Sequence, residues 1–131
     1  MKLFKLSTII LLLLSIFFIA CKGKSAKDLI VKKWKLTEVT GEGTKEMTDD
    51  QKKSMTDKLV MDLTKEGKYT VSGMGENPQT GTYTLSDDGK TLNIFREGDT
   101  TKLPQVINEL TASKLDITDN KSKMKLVFSA K

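Results

Sequence analysis

From Trp34 to Ser129 the chain breaks into short runs of alternating apolar and polar residues, each closed by a turn after roughly ten residues, and this spacing constrains the fold more than any other feature. Leu59, Met61 and Leu63 alternate with Val60 and Asp62, after which Lys65, Glu66, Gly67 and Lys68 turn the chain into a strand over Tyr69 to Gly73. Gly75 to Gln79, with Asn77 and Pro78, breaks the chain before Thr80 to Leu85. Asp87, Asp88, Gly89 and Lys90 carry an Asp-Gly hairpin signal, because glycine accepts a positive φ without steric cost. Leu92, Ile94 and Arg96 alternate next, and Glu97 to Thr100 turns the chain again. Leu103 to Leu110 reads as a strand whose Pro104 must lie at its start or on an edge, having no N–H to give to a ladder. Lys114 to Thr118 and Lys123 to Ser129 close the sequence as a hairpin around Asp119 to Ser122.

The segment before Leu59 completes the pattern. Trp34 to Val39 is a first strand, and a helical turn over Lys27 to Val31 precedes it. Thr40 to Lys58 is polar, and within it Thr48 stands three residues before Gln51 with Asp49 and Asp50 between, the spacing of a capping box with acids at the positive end of the helix dipole. This predicts a helix over Asp49 to Lys58. Eight strands with one short helix between the first two make an all-β chain, and even spacing favours an eight-stranded up-and-down antiparallel barrel, because closure removes exposed edges. A half-open sandwich is the alternative. The inward set is Trp34, Leu36, Met61, Leu63, Tyr69, Val71, Tyr83, Leu85, Leu92, Ile94, Leu110, Leu115, Ile117, Met124, Leu126 and Phe128. A barrel of this size holds packed side chains or one small ligand, and the bulk of Trp34, Tyr83, Phe128 and the leucines leans toward packing.

The first twenty residues obey another logic. Met1 to Lys5 carries two lysines, an apolar run follows from Leu6 to Ala20, and it stops at Cys21, the single cysteine of the chain. Spanning a bilayer takes about 20 apolar residues, whereas this run is shorter and broken by Ser7, Thr8 and Ser15. Phe18, Ile19, Ala20 and Cys21 resemble a bacterial lipoprotein box, Phe18 being the departure where Leu, Val or Ile is usual. The expectation is a signal peptide over 1–20, diacylglyceryl and further acyl chains such as palmitate on Cys21, a tether over 21–26, and one domain over 27–131. Lys22 follows the cysteine where an inner-membrane retention signal would place aspartate, so the expected home is the cell envelope, lipid-anchored at the outer membrane. Lys22, Lys24 and Lys27 form a basic cluster beside the lipid, suited to a solvated tether that touches anionic head groups.

Composition excludes several chemistries. The chain has no histidine, and acylation of Cys21 leaves no thiol, so there is no histidine-containing triad, no thiol nucleophile and no ordinary structural zinc site. No catalytic residue, metal or cofactor is expected. Asp49 with Asp50 and Asp87 with Asp88 are adjacent pairs, which suit caps and turns better than acid–base work across one bond. The formal charge of +5 falls to +3 once Lys2 and Lys5 leave with the signal, Arg96 is the sole arginine, and lysines alternate with acids. That is not the clustered footprint of a nucleic-acid binder, so no nucleic-acid partner is expected.

Leu29 to Val39 with Trp34, then Lys68 to Ser72, then Gly81, Thr82, Tyr83, Thr84 and Leu85 with the Asp88-Gly89 turn, and Leu110 to Ile117 together resemble the lipocalin-like domain of Bacteroidota lipoproteins. The family pattern has glycine two residues before the tryptophan, where this chain has Lys32. The resemblance implies a small lipid-anchored β-barrel, with binding of a small hydrophobic ligand as the analogy. On that reading Trp34, Tyr69, Tyr83 and Arg96 are candidate ligand contacts. The favoured role of Trp34 is nevertheless a structural plug and that of Tyr69 and Tyr83 core packing with the hydroxyl reaching solvent, while Arg96 either neutralises an anionic ligand from the inward register or pairs with Glu97 or Asp99 at the mouth. Met47, Met55, Met61 and Met74 fill gaps or line a portal. Asp99, Thr100 and Thr101 resemble a short O-glycosylation sequon, with Thr100 as acceptor. The leading expectation is a binding module, and an accessory protein with a filled barrel acting by protein contact in the envelope is the runner-up.

Overall fold

The computed structural model describes residues 25–131. The expected signal peptide, Cys21 and the greater part of the tether lie outside the described residues. Ser25 is the N-cap of a short helix, α1, Ala26–Ile30, its side chain accepting from the Asp28 N–H. Eight strands follow: β1 Lys33–Gly41, β2 Val60–Leu63, β3 Lys68–Ser72, β4 Gln79–Leu85, β5 Thr91–Arg96, β6 Lys102–Leu110, β7 Lys114–Asp119 and β8 Met124–Ala130. A 3₁₀ turn, Glu42–Thr44, and the helix α2, Asp49–Lys58, lie between β1 and β2. Each strand pairs antiparallel with the next, and β1 pairs with β8, so the sheet closes into a barrel in sequence order. The half-open alternative is thereby excluded.

The elements follow from local chemistry. α2 begins where the capping box is: the Thr48 hydroxyl accepts from the Gln51 N–H, and the Gln51 side chain accepts from the Thr48 N–H at 2.8 Å. The β4–β5 hairpin turns through Gly89 at φ +69°, with the Asp88 carboxylate accepting from Ser86 and from the Lys90 N–H. Gly73 ends β3 at φ +93°, where a side chain would collide with the Lys58 backbone, so only glycine fits. Pro104 lies on no edge, since β6 is paired on both sides. It sits third in its strand, its carbonyl faces Asn120 just beyond the end of β7, and the first register pair between β6 and β7 is Gln105 with Asp119, so its missing N–H leaves that ladder intact.

The core lies on the barrel axis. Trp34, Leu36, Leu63, Leu92, Leu115, Ile117 and Phe128 are at most 2% exposed, and the inward residues read from the alternation are either buried or packed against that cluster. Each fully buried side chain of this kind stabilises by about 1.5–3 kcal/mol. Val39 and Leu110 pack on the core out of step with Leu36 and Ile107 before them, because β-bulges shift the register between Leu36 and Glu38 in β1 and between Ile107 and Glu109 in β6. The extra residue reverses the inward parity. Val39 therefore points in with Leu36, Ile107 and Leu110 both pack on the core, and Val106 is left 40% exposed.

Candidate functional site

The barrel has two unlike ends. The end that carries α1 also carries the β2–β3, β4–β5 and β6–β7 turns and the C terminus; the other carries α2 and the β3–β4, β5–β6 and β7–β8 loops.

The α1 end is shut. Ile30, 1% exposed, lies under the barrel, and the Trp34 indole N–H donates to the Ile30 carbonyl at 2.9 Å, so the helix and first strand are clamped by the one polar atom of the ring. Lys32 extends over the Trp34 ring with its ammonium 5.1 Å from the centroid and donates to the Ala112 carbonyl at 2.7 Å. A cation on an aromatic face closes the bottom. The Tyr83 hydroxyl donates to the Thr64 carbonyl at 2.6 Å and ties β4 to the β2–β3 turn, while burial pushes its pKa up. Outside this closure, a cleft of about 850 Å³ opens between α1, the β2–β3 turn and β4, with Lys27, Lys65 and Glu66 around Ile30, Val31 and Leu85.

The open end holds the other two candidates. Tyr69 on β3 faces Gly81 on β4, and Gly81 faces Arg96 on β5. The Tyr69 ring covers Gly81: a side chain there would come within 2.6 Å of the Tyr69 Cε1 and collide with the Phe95 carbonyl. That close approach seats Tyr69 beside Arg96. Burial raises the Tyr69 pKa, and the positive Arg96 works against that rise. Arg96 is exposed and makes no ion pair among the described residues. Glu97 instead accepts from the Thr80 hydroxyl, and the Asp99 carboxylate accepts from the Thr101 N–H at 2.8 Å, an interaction that holds its pKa below the usual range. A cleft of about 550 Å³ runs past Lys68, Tyr69, Thr80, Phe95 and Arg96. Its carboxylates are engaged locally while its arginine is not.

The four candidate contacts thus separate. Tyr69 and Arg96 share a cleft, whereas Trp34, wholly buried, and Tyr83, with its hydroxyl spent, belong to the far end. Met47, Met55 and Met74 line a third cleft of about 430 Å³ beside α2, but Met61 lies in the core opposite Trp34. Phe95 and the threonines of β3 and β4 escaped the sequence reading because they occupy outward positions. Gly81 was detectable in principle, since a glycine inside a strand signals close approach of another group. Asp49 and Asp50 occupy the first turn of α2, and Asp88 its hairpin. Among the described residues no three acidic, histidine or cysteine side chains converge as a metal site.

The described molecule is similar to two solved structures. One is the crystal structure of an uncharacterized protein from Bacteroides eggerthii, 18% identical, covering 77% of this chain and 98% of that one with a TM-score of 0.59. The other is the NMR structure of a protein from Bacteroides uniformis, 15% identical, covering 81% and 91% with a TM-score of 0.54. At these identities the likeness concerns the fold. No curated protein matches the sequence. The model of the lipocalin-like domain matches residues 30–117, from the buried Ile30 through the inward Ile117 of β7, and the chain belongs to that family.

Proposed function

We propose that this protein is a lipid-anchored binding module of the bacterial cell envelope, held by acyl chains on Cys21, that takes its ligand at the open end and not along the barrel axis. The observation that supports it most is the contrast between the two regions. The axis is occupied by Trp34, Leu36, Leu92, Leu115 and Phe128, while Arg96 stands exposed in a cleft with Tyr69 and Phe95 beside it. An arginine with no ionic partner of its own suits a carboxylate or phosphate, and the partly exposed Phe95 in the same cleft suits an apolar or planar portion, Tyr69 being 3% exposed and part of the core. The ligand class that fits is a small amphiphile with one anionic group. The carboxylates that line the cleft, Glu97 and Asp99, are each held by a neighbouring threonine, which supports binding as the reading.

Native mass spectrometry on delipidated protein from its own host tests this. A retained species that ionises as an acid, and whose binding Arg96→Gln weakens by roughly tenfold or more, is the expected result. Recovery of protein free of small molecules, with the same result for Arg96→Gln, would defeat it. The filled axis favours one second reading, an accessory protein acting by contact with an envelope partner, and crosslinking that captures a single protein at the open end would support that instead. Thr100 lies exposed in the β5–β6 loop, and we propose it as an O-glycan acceptor. A mature mass equal to peptide plus lipid would remove the glycan.

A further inference from the structure

The charge of the molecule is unevenly placed along its axis. The segments 42–58, 73–78, 96–102 and 119–125 at the open end hold nine basic and nine acidic side chains. The tether and the segments that gather at the closed end, 22–33, 62–67, 86–90, 109–114 and Lys131, hold nine lysines, Lys22 and Lys24 of the tether among them, against six acidic side chains. Of the acidic groups there, Asp28 accepts from Ser25 at 2.9 Å, Asp88 accepts from Ser86 at 2.6 Å and Glu109 pairs with Lys114 at 2.8 Å, whereas Asp62, Glu66 and Asp87 make no side-chain hydrogen bond or ion pair among the described residues. Lys27, Lys65, Lys90 and Lys131 are exposed and form no ion pair among the described residues.

Geometry brings this end to a membrane. Ser25, which caps α1, is four residues from Cys21, and an extended chain reaches about 3.5 Å per residue, so the first described residue is held within roughly 14 Å of the lipidated one. That span is comparable to the screening length of about 8–10 Å at moderate salt. The cleft of about 850 Å³ opens at the same end, with Lys27 and Lys65 beside Asp28 and Glu66 at its border and Ile30, Val31 and Leu85 within.

Resting on the lipid-anchor reading, we infer that the closed end is a docking face for anionic phospholipid, with the ammonium groups of Lys27 and Lys65 against headgroup phosphates and the apolar floor of the cleft against the glycerol-ester region. The barrel then stands upright, with its open end and the Arg96 cleft directed away from the bilayer. A tether alone would let the domain tumble. The lysine face fixes which end meets the surface.

The test uses the full processed protein reconstituted into vesicles of phosphatidylcholine alone or mixed with phosphatidylglycerol, labelled with an amine-acylating reagent and read by peptide mass spectrometry. Lys27, Lys65 and Lys90 are expected to lose about threefold or more of their labelling in the anionic vesicles, reversibly with salt, while Lys45 and Lys121 at the open end keep theirs. Lys27→Glu with Lys65→Glu, both on the surface, should abolish the protection at Lys90, whereas Lys45→Glu with Lys121→Glu should leave it. Equal labelling of the two ends in both kinds of vesicle would overturn the docking face. The same digest reports the mass of the Cys21 peptide. A lipidated Cys21 with equal labelling refutes the docking face and leaves the anchor standing, whereas an unmodified Cys21 refutes the anchor and the footprint still decides the docking face.

Discussion

Lys32 shows how a single residue alters the way a barrel is shut. Two residues before Trp34 this chain carries a long cation, and its ammonium is satisfied by the Ala112 carbonyl while lying over the Trp34 ring. Two weak interactions thus hold the shut end. Replacing Lys32 by Met keeps the apolar stem and removes the charge, so it should cost about 0.5–1 kcal/mol, the scale of an exposed cation–aromatic contact. Trp34→Ala removes a wholly buried ring together with the hydrogen bond to Ile30, and about 3–5 kcal/mol should be lost. Urea unfolding followed by circular dichroism measures both. A Trp34→Ala variant within 1 kcal/mol of the parent would show that the ring is not what closes the barrel.

At the scale of elements, α2 is the helix held least by burial. None of its residues is buried, and its Met55 packs only partly against the core. Its start therefore leans on the capping box, and Thr48→Ala should weaken the helix by about 1 kcal/mol. Amide hydrogen exchange should report faster exchange confined to residues of α2 while β1, β7 and β8 keep their protection; faster exchange spreading through the barrel would show that the helix and barrel unfold together. The strands illustrate the limit of periodicity. Trp34, Leu36, Met61 and Leu63 follow the alternation directly, but Val39 and Leu110 reach the core only because each of two strands carries a bulge. No residue in Leu36–Glu38 or Ile107–Glu109 announces it, because the bulges form where neighbouring strands must bend to meet.

For the whole molecule, orientation and attachment matter more than internal chemistry. The domain closes on itself, β1 to β8, so nothing in the described fold needs the membrane for stability. The covalent attachment proposed is at Cys21, and on that proposal Cys21→Ser expressed in the native host should block lipid addition and leader removal. Intact mass should then show the leader retained and no acyl chains, with the folded domain's circular dichroism unchanged. If the parent protein carries no acyl mass on Cys21, the anchor is refuted.

Much of this molecule was legible in its residues alone. The order and number of strands, the capping box at Thr48, the Asp-Gly hairpin and the greater part of the core follow from periodicity and turn chemistry, which act over a few neighbouring residues and so leave a trace in the sequence. Closure of the sheet, the two bulges, the hydroxyl of Tyr83 spent on Thr64, and the meeting of Tyr69 with Arg96 across Gly81 depend on strands brought together from distant positions. Tertiary structure decided these because register and parity are set by which strands become neighbours, a long-range property that no local pattern carries.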